Sequence, residues 1–475
     1  MLRIVPGGKS GGPIIVTLFG LDYNGEFCLA CLQHGNSHSY RPDLSASSLS
    51  LKTGWRTNDH LIDATLQGDI SEPPALETPF FVLQNFLLTA ISRQMNYQSV
   101  DALQQVLVDK VFHYAEDRKK AAGRALGTLV EIITYYALKG WGFRENVAIE
   151  RALPEYKNPD ITHNVEFSLH PILRQQIIPL QEFTLPLTTA KLRRALDTNK
   201  FVHGDLVAKD AQVLSNDGVL RNACAFGESA DAFCIASVDE MKGTCCALTI
   251  NVLSRHPFAI FECKRVGVEE GMKKGPQSIE KAKQGAYVAR SVSALQKVRY
   301  ANGQIGGVIQ LTDGTLYHKP YVQLLEETIK SNEPAMLRDF ILTVGVVSNH
   351  GNWFTQEDHN KELRVLAQSY DWLLFLTDQG LAEFVSELLL KPTPELAVAR
   401  AAFLQSYGPS ASGNRFTKVK MDVKADLVLR QYFAAHAKKI ESWLNVIAPT
   451  GQSLQNLQKD LKTLNEKDWT KILSK

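Results

Sequence analysis

The sequence predicts an α/β protein with added regions at both ends, and three observations carry that reading. Apolar runs of strand length, such as PFAIFECKRV (257–266) and FILTVGVVS (340–348), recur between segments whose apolar residues have helical spacing. Hydrophobic residues make up 44% of the 475-residue chain and charged residues 21%, enough apolar side chain to fill a sizeable core. No stretch repeats at a fixed period, which argues against solenoids and propellers.

Along the chain, residues 1–75 mix Gly-rich turns with β-like runs, and 77–113 carry apolar positions at helical spacing. Together they give an N-terminal β/α region, 1–115. A helix is expected over 117–140, stopped by Gly140 and Gly142. Strand-like pieces follow in NVAIERAL, VEFSLHPIL, ADAFCIASV and CCALTINVL, ahead of PFAIFECKRV. The segment 277–299 reads as a helix, FILTVGVVS and DWLLFLTD as buried strands, and LAEFVSELLL as a helix. These make up a core region, 116–390. The remaining segment, 391–475, carries 14 Lys and Arg against 7 Asp and Glu and reads as a basic helical addition.

Composition limits the function classes. The net charge of +2 says nothing about partners, although the basic C-terminal segment could anchor a polyanion. No window has the length of a membrane span, and Pro6 with four nearby glycines leaves no signal-peptide apolar stretch. Seven cysteines, two of them adjacent, do not form a secreted disulfide framework. A cytoplasmic protein with no membrane partner is the expectation. The absence of a P-loop argues against a nucleotide cofactor.

The chemistry concentrates in PFAIFECKRV. On a strand, Ile260, Glu262 and Lys264 share one face and Phe261 and Cys263 the other. A carboxylate and an amine at the end of an apolar strand suit a hard metal ion beside a water that the amine orients or deprotonates. By itself E-x-K reads more often as an ion pair at a strand end. A metal site needs a second acid from a neighbouring strand, and Asp231 starts an apolar strand 31 residues before Glu262. Upstream, Glu131 sits on a mostly uncharged helix face, where a glutamate needs a partner or a metal. Downstream, Lys281, Gln284 and Tyr287 lie within two turns of one expected helix, suited to a phosphate or a metal-bound water and equally to a solvated face.

This order of residues resembles the PD-(D/E)XK nuclease superfamily, and within it the type II restriction endonucleases. The resemblance covers about residues 118–380 and rests on motif order, including G-x-x-x-E from Gly127 to Glu131 and L-K-G from Leu138 to Gly140. It implies a restriction-endonuclease-like core, a mixed central sheet flanked by helices. It implies Mg²⁺ (or Mn²⁺) dependent, sequence-specific hydrolysis of double-stranded DNA. Asp231, Glu262 and Glu131 would be the metal-binding acids and Lys264 the residue that positions water. Lys273 and Lys274 in the loop 268–277 would touch the DNA backbone, with Lys281, Gln284 and Tyr287 as auxiliary contacts. A homodimer follows, because cutting both strands of a palindrome needs two sites. The family's first acid often follows proline, yet residue 230 is Ala; Pro159–Asp160 lies 102 residues before Glu262, and Asp205 is a further alternative. A structure-specific repair or recombination nuclease, and a DNA-binding protein with an inert core, are the competing readings. Cys28, Cys31, His34 and His38 have zinc-type residues, but too short a loop separates the second Cys from the first His.

Overall fold

The computed structural model describes residues 99–151, 165–180, 184–198, 207–208, 212–216, 218, 225–242, 245–267, 287–311, 313–350, 361–407 and 422–474, together with five strands before residue 67. The chain divides into two units, Met1–Met95 and Asn96–Lys475. In the first, β1 (Leu2–Val5), β2 (Ile15–Leu21) and β3 (Phe27–Gln33) form an antiparallel sheet, and β4 (Leu51–Thr57) and β5 (His60–Leu66) form a hairpin. The expected helical stretch 77–95, the zinc-type His34 and His38, and the side chains of Cys28 and Cys31 lie outside the described residues.

The second unit begins with helices α1 (Val100–Lys110) and α2 (Arg118–Leu138), which pack on each other. The sequence placed α1 with the N-terminal region; its Leu103 and Leu107 instead join the main core with Leu126 and Leu129 of α2. Asp117 caps α2 by accepting the Lys120 N–H at 2.9 Å. A turn containing Gly142, whose φ of 99° suits glycine, ends the helical run.

Two sheets follow, interleaved along the chain. The central one contains β6 (Val147–Ile149), β7 (Phe167–Leu169), β15 (Ala259–Gly267), β19 (Leu342–His350), β20 (Trp372–Leu376) and β21 (Leu444–Ala448), in the order β21-β20-β19-β15-β7-β6. Strands β15, β19 and β20 run parallel, and the other pairs are antiparallel, so the sheet is mixed. Near-continuous apolar runs such as WLLFL are what a strand buried on both faces requires. One face packs on α1 and α2 through Phe261, Val344, Val346 and Leu374. The other packs through Val266, Val347, Leu373 and Phe375 on helix α5 (Lys361–Ser369).

The second sheet contains β8 (Ile172–Leu180), β10 (Val207–Ala208), β12 (Gly227–Glu228), β13 (Ala232–Lys242) and β14 (Cys245–Ser254), in the order β10-β12-β13-β14-β8. It carries its own core with α3 (Thr189–Thr198), and β9 (Leu187–Thr188) pairs with β11 (Gln212–Leu214) beside it. The sequence between β7 and β15 is therefore spent on a separate layer.

Two further expectations change. The segment 277–299 is helical at 287–292, but Leu295–Arg299 is strand β16, paired with β17 (Ile305–Gln310), which in turn pairs with β18 (Leu316–Pro320). Cross-strand partners outweigh the helical spacing there, and α4 (Tyr321–Lys330) covers the meander. The C-terminal segment is not solely helical either, since it supplies β21 to the edge of the central sheet. Helices α6 (Asp378–Val385), α7 (Leu396–Gln405), α8 (Val423–Ala435), α9 (Leu454–Asn465) and α10 (Trp469–Leu473) complete the main core.

Candidate active site

Strand β15 presents Glu262 and Lys264 on one face, as alternation requires. Glu262 is 1% exposed and Lys264 21%, and the lysine Nζ lies 2.7 Å from Glu262 Oε1. The last described pair between β7 and β15 is Phe167 with Phe261, so the next step of the antiparallel register sets Glu166 opposite Glu262. Glu166 is also buried, and its Oε1 lies 4.0 Å from Lys264 Nζ. Beyond Phe261 no described strand pairs with this side of β15, and the Cys263 N–H would lose its ladder partner. Glu166 Oε2 accepts it at 3.2 Å. The carboxylate thus ends the strand pairing and faces the lysine.

Glu131 approaches from α2, on the Cys263 side of the sheet. The Cys263 thiol donates to Thr134 Oγ1 at 3.4 Å. Its pKa is pushed well above the ordinary thiol value, by burial first and then by the negative charges of Glu166, Glu131 and Glu262. The charges of three carboxylates therefore reach one buried sulfur, while Lys264 bridges two of them. Across the sheet, Tyr370 forms a wall. Its hydroxyl is held far above the usual phenol range by burial, then by Glu262, Glu166 and Cys263. The ring fits because residue 345, the β19 partner of Glu262, is glycine; a Cβ there would stand 2.7 Å from the Tyr370 ring.

Asp231 is corrected by the topology. It precedes β13 in the other sheet, is exposed, and its carbonyl accepts the Arg255 N–H at 2.8 Å, ahead of the N-terminal end of β15. The strands beside β15 are β7 and β19, so the acid next to Glu262 is Glu166, which the sequence reading passed over. A signal for it existed: VEFSL sets one charged residue at the start of an apolar strand, in the strand nearest upstream of the inserted layer. Asp160, Asp205, Lys273, Lys274, Lys281 and Gln284 lie outside the described residues. Tyr287 opens the helical turn 287–292 and is 55% exposed, whereas Val288 and Val292 of that turn join a buried cluster with Ile260.

Among the described residues, no group of three or more His, Cys, Asp or Glu stands in position to hold a metal ion, and no helix is long and apolar enough to cross a membrane. No protein-family model, curated protein or solved structure matches the chain.

Proposed function

We propose that the chain is a metal-dependent nuclease of the PD-(D/E)XK kind that hydrolyses phosphodiesters of double-stranded DNA. The observation that carries this reading is the Glu166–Lys264–Glu262 set, two buried carboxylates sharing one half-buried lysine. The order of elements also supports it: a helix bearing Glu131, an antiparallel pair, the E-x-K strand, then a parallel neighbour. The donor set suits one hard divalent cation held by Glu262 and Glu166, with water and substrate oxygens as further ligands. It does not suit a cage of three protein carboxylates. Bound there, Mg²⁺ or Mn²⁺ would polarise the phosphate and acidify a water.

The chain's own residues supply the rest. Lys264, tied to Glu262 as an ammonium, is the group that orients the attacking water, and its charge offsets the build-up on the phosphate, while the water's proton leaves to solvent. Glu131 adds negative charge on the opposite side of Cys263 and helps retain the cation. Tyr370 and the apolar strand keep bulk water from the buried faces of the carboxylates, which strengthens each interaction. A homodimer fits the need to cut two strands.

The test is incubation of purified protein with unmethylated phage DNA and Mg²⁺, beside Lys264→Ala and an EDTA control. Discrete bands that vanish in both controls support a sequence-specific nuclease. Cleavage confined to branched DNA moves the activity to repair or recombination. Absence of cleavage on duplex, branched and single-stranded DNA overturns the nuclease reading.

A further inference from the structure

Helix α2 is buried on nearly every side. From Ala122 to Leu138, only Gly123, Arg124, Gly127 and Glu131 escape burial, and exposed Lys120 stands one turn before Arg124. With 3.6 residues per turn, Lys120, Arg124, Gly127 and Glu131 fall on one line along the helix. The line is about one side chain wide. It spans roughly 16 Å, about the axial rise of five nucleotide steps at 3.4 Å each. Two cations stand at its start, and it ends on Glu131, whose charge acts on the Cys263 thiol.

Among the described residues, the glycine in the middle has no packing reason to be there. A Cβ built on Gly127 meets none of them within 4 Å. Glycine inside a helix weakens it relative to almost any other residue. What the missing side chain leaves is bare backbone between the cations and the acid. An ordinary solvated face would be filled with long polar side chains, because they cost the helix nothing.

We propose that this line is the track by which the sugar–phosphate backbone of duplex DNA reaches the site. Lys120 and Arg124 contact phosphates outside the reacting one, and Gly127 lets the strand pass close to the helix. The proposal rests on the nuclease reading and adds the route and orientation of the substrate.

Binding is measured with a short fluorescent duplex and the full chain in EDTA, where nothing is cut, over a range of salt. The double variant Lys120→Ala/Arg124→Ala is expected to flatten the dependence of log affinity on log salt by about 2, at about 0.9 for each phosphate no longer neutralised. Gly127→Gln is expected to weaken binding while raising the Tm, since the new side chain favours the helix and has open space. A Gly127 with only a structural role would lose stability instead. Lys462→Ala, on the exposed face of α9, should bind as the parent does. Parental affinity and salt slope in the double variant, or unchanged binding in Gly127→Gln, overturns the track. Binding that follows the track without cleavage in Mg²⁺ overturns the nuclease reading alone. Cleavage by the parent with binding unchanged in both variants overturns the track alone.

Discussion

Helix α2 serves two buried charge clusters. Near its C-terminal end, Asp426 of α8 receives Lys139 at 2.6 Å and the Tyr136 hydroxyl at 2.8 Å on one oxygen, and Arg430 at 2.9 Å on the other. Burial alone would raise that carboxyl's pKa, but Lys139 and Arg430 bring it below the ordinary value. One acid is matched by two cations and a hydroxyl. Midway along the same helix, among the described residues, the charges of Glu131, Glu166 and Glu262 all act on the Cys263 thiol, and Lys264 bridges Glu166 and Glu262. The first arrangement ties α8 to α2. The second gathers acidic side chains at a place where strand pairing stops, where a hard cation would find oxygen ligands.

The comparison is tested most severely at Glu262. Glu262→Gln and Glu166→Gln should each lower DNA cleavage by about 10²–10⁴-fold, while the Tm stays equal or rises because a buried charge is removed. A fall in both activity and Tm would place these acids with Asp426 as structural. Asp231→Asn should leave cleavage intact.

At the other cluster the signs invert. Asp426→Asn strands Lys139 and Arg430 in the interior and should cost about 3–5 kcal/mol by urea unfolding. Cleavage per folded molecule should not change. A cost near zero would show that Asp426 is dispensable and dissolve the contrast.

Gly345→Ala probes the wall of the acid-rich cluster. Its Cβ would press on the Tyr370 ring and Leu373, and overpacking of this kind costs about 1–3 kcal/mol. Because Gly345 pairs with Glu262, cleavage should fall with it. Full activity at reduced Tm would detach Tyr370 from the site.

The last effect is a pH slope. His170, at the end of β7, is fully buried, with ring nitrogens 2.8 Å from the Ser254 carbonyl and from Ser168 Oγ. Burial pulls its pKa down to about 3. The folded state therefore excludes a proton that the unfolded chain binds below pH about 6.5. Stability is full above that pH and falls as pH drops toward 3, by about 1.4 kcal/mol per unit for this group. His256, held at about 4, adds to the same slope. Urea midpoints measured against pH should show the loss, and His170→Gln should reduce it.

Glu131, Glu262 and Lys264 were legible because a charge inside an apolar strand or helix face is costly, and alternation tells which charges share a face. Local pattern flags Glu166 but does not pair it with Glu262. Its strand is three residues long, and its partner comes 96 residues later, beyond a whole inserted layer. Asp231 had the better local appearance and the wrong neighbours, since strand order is set by tertiary pairing. The same limit explains 295–299, where the partner β17 determines a strand, and the C-terminal segment, whose β21 pairs with β20.

That last pairing has a consequence for synthesis. Roughly 70 residues separate Leu376 from its partner Leu444, so for roughly 4 to 14 seconds at about 5–20 residues per second the nascent chain holds WLLFL with one edge uncovered. An apolar strand with an open edge recruits other strands. The ribosome-bound intermediate is thus the most adhesive form this chain takes, and emergence of β21 is the event that makes it safe to release.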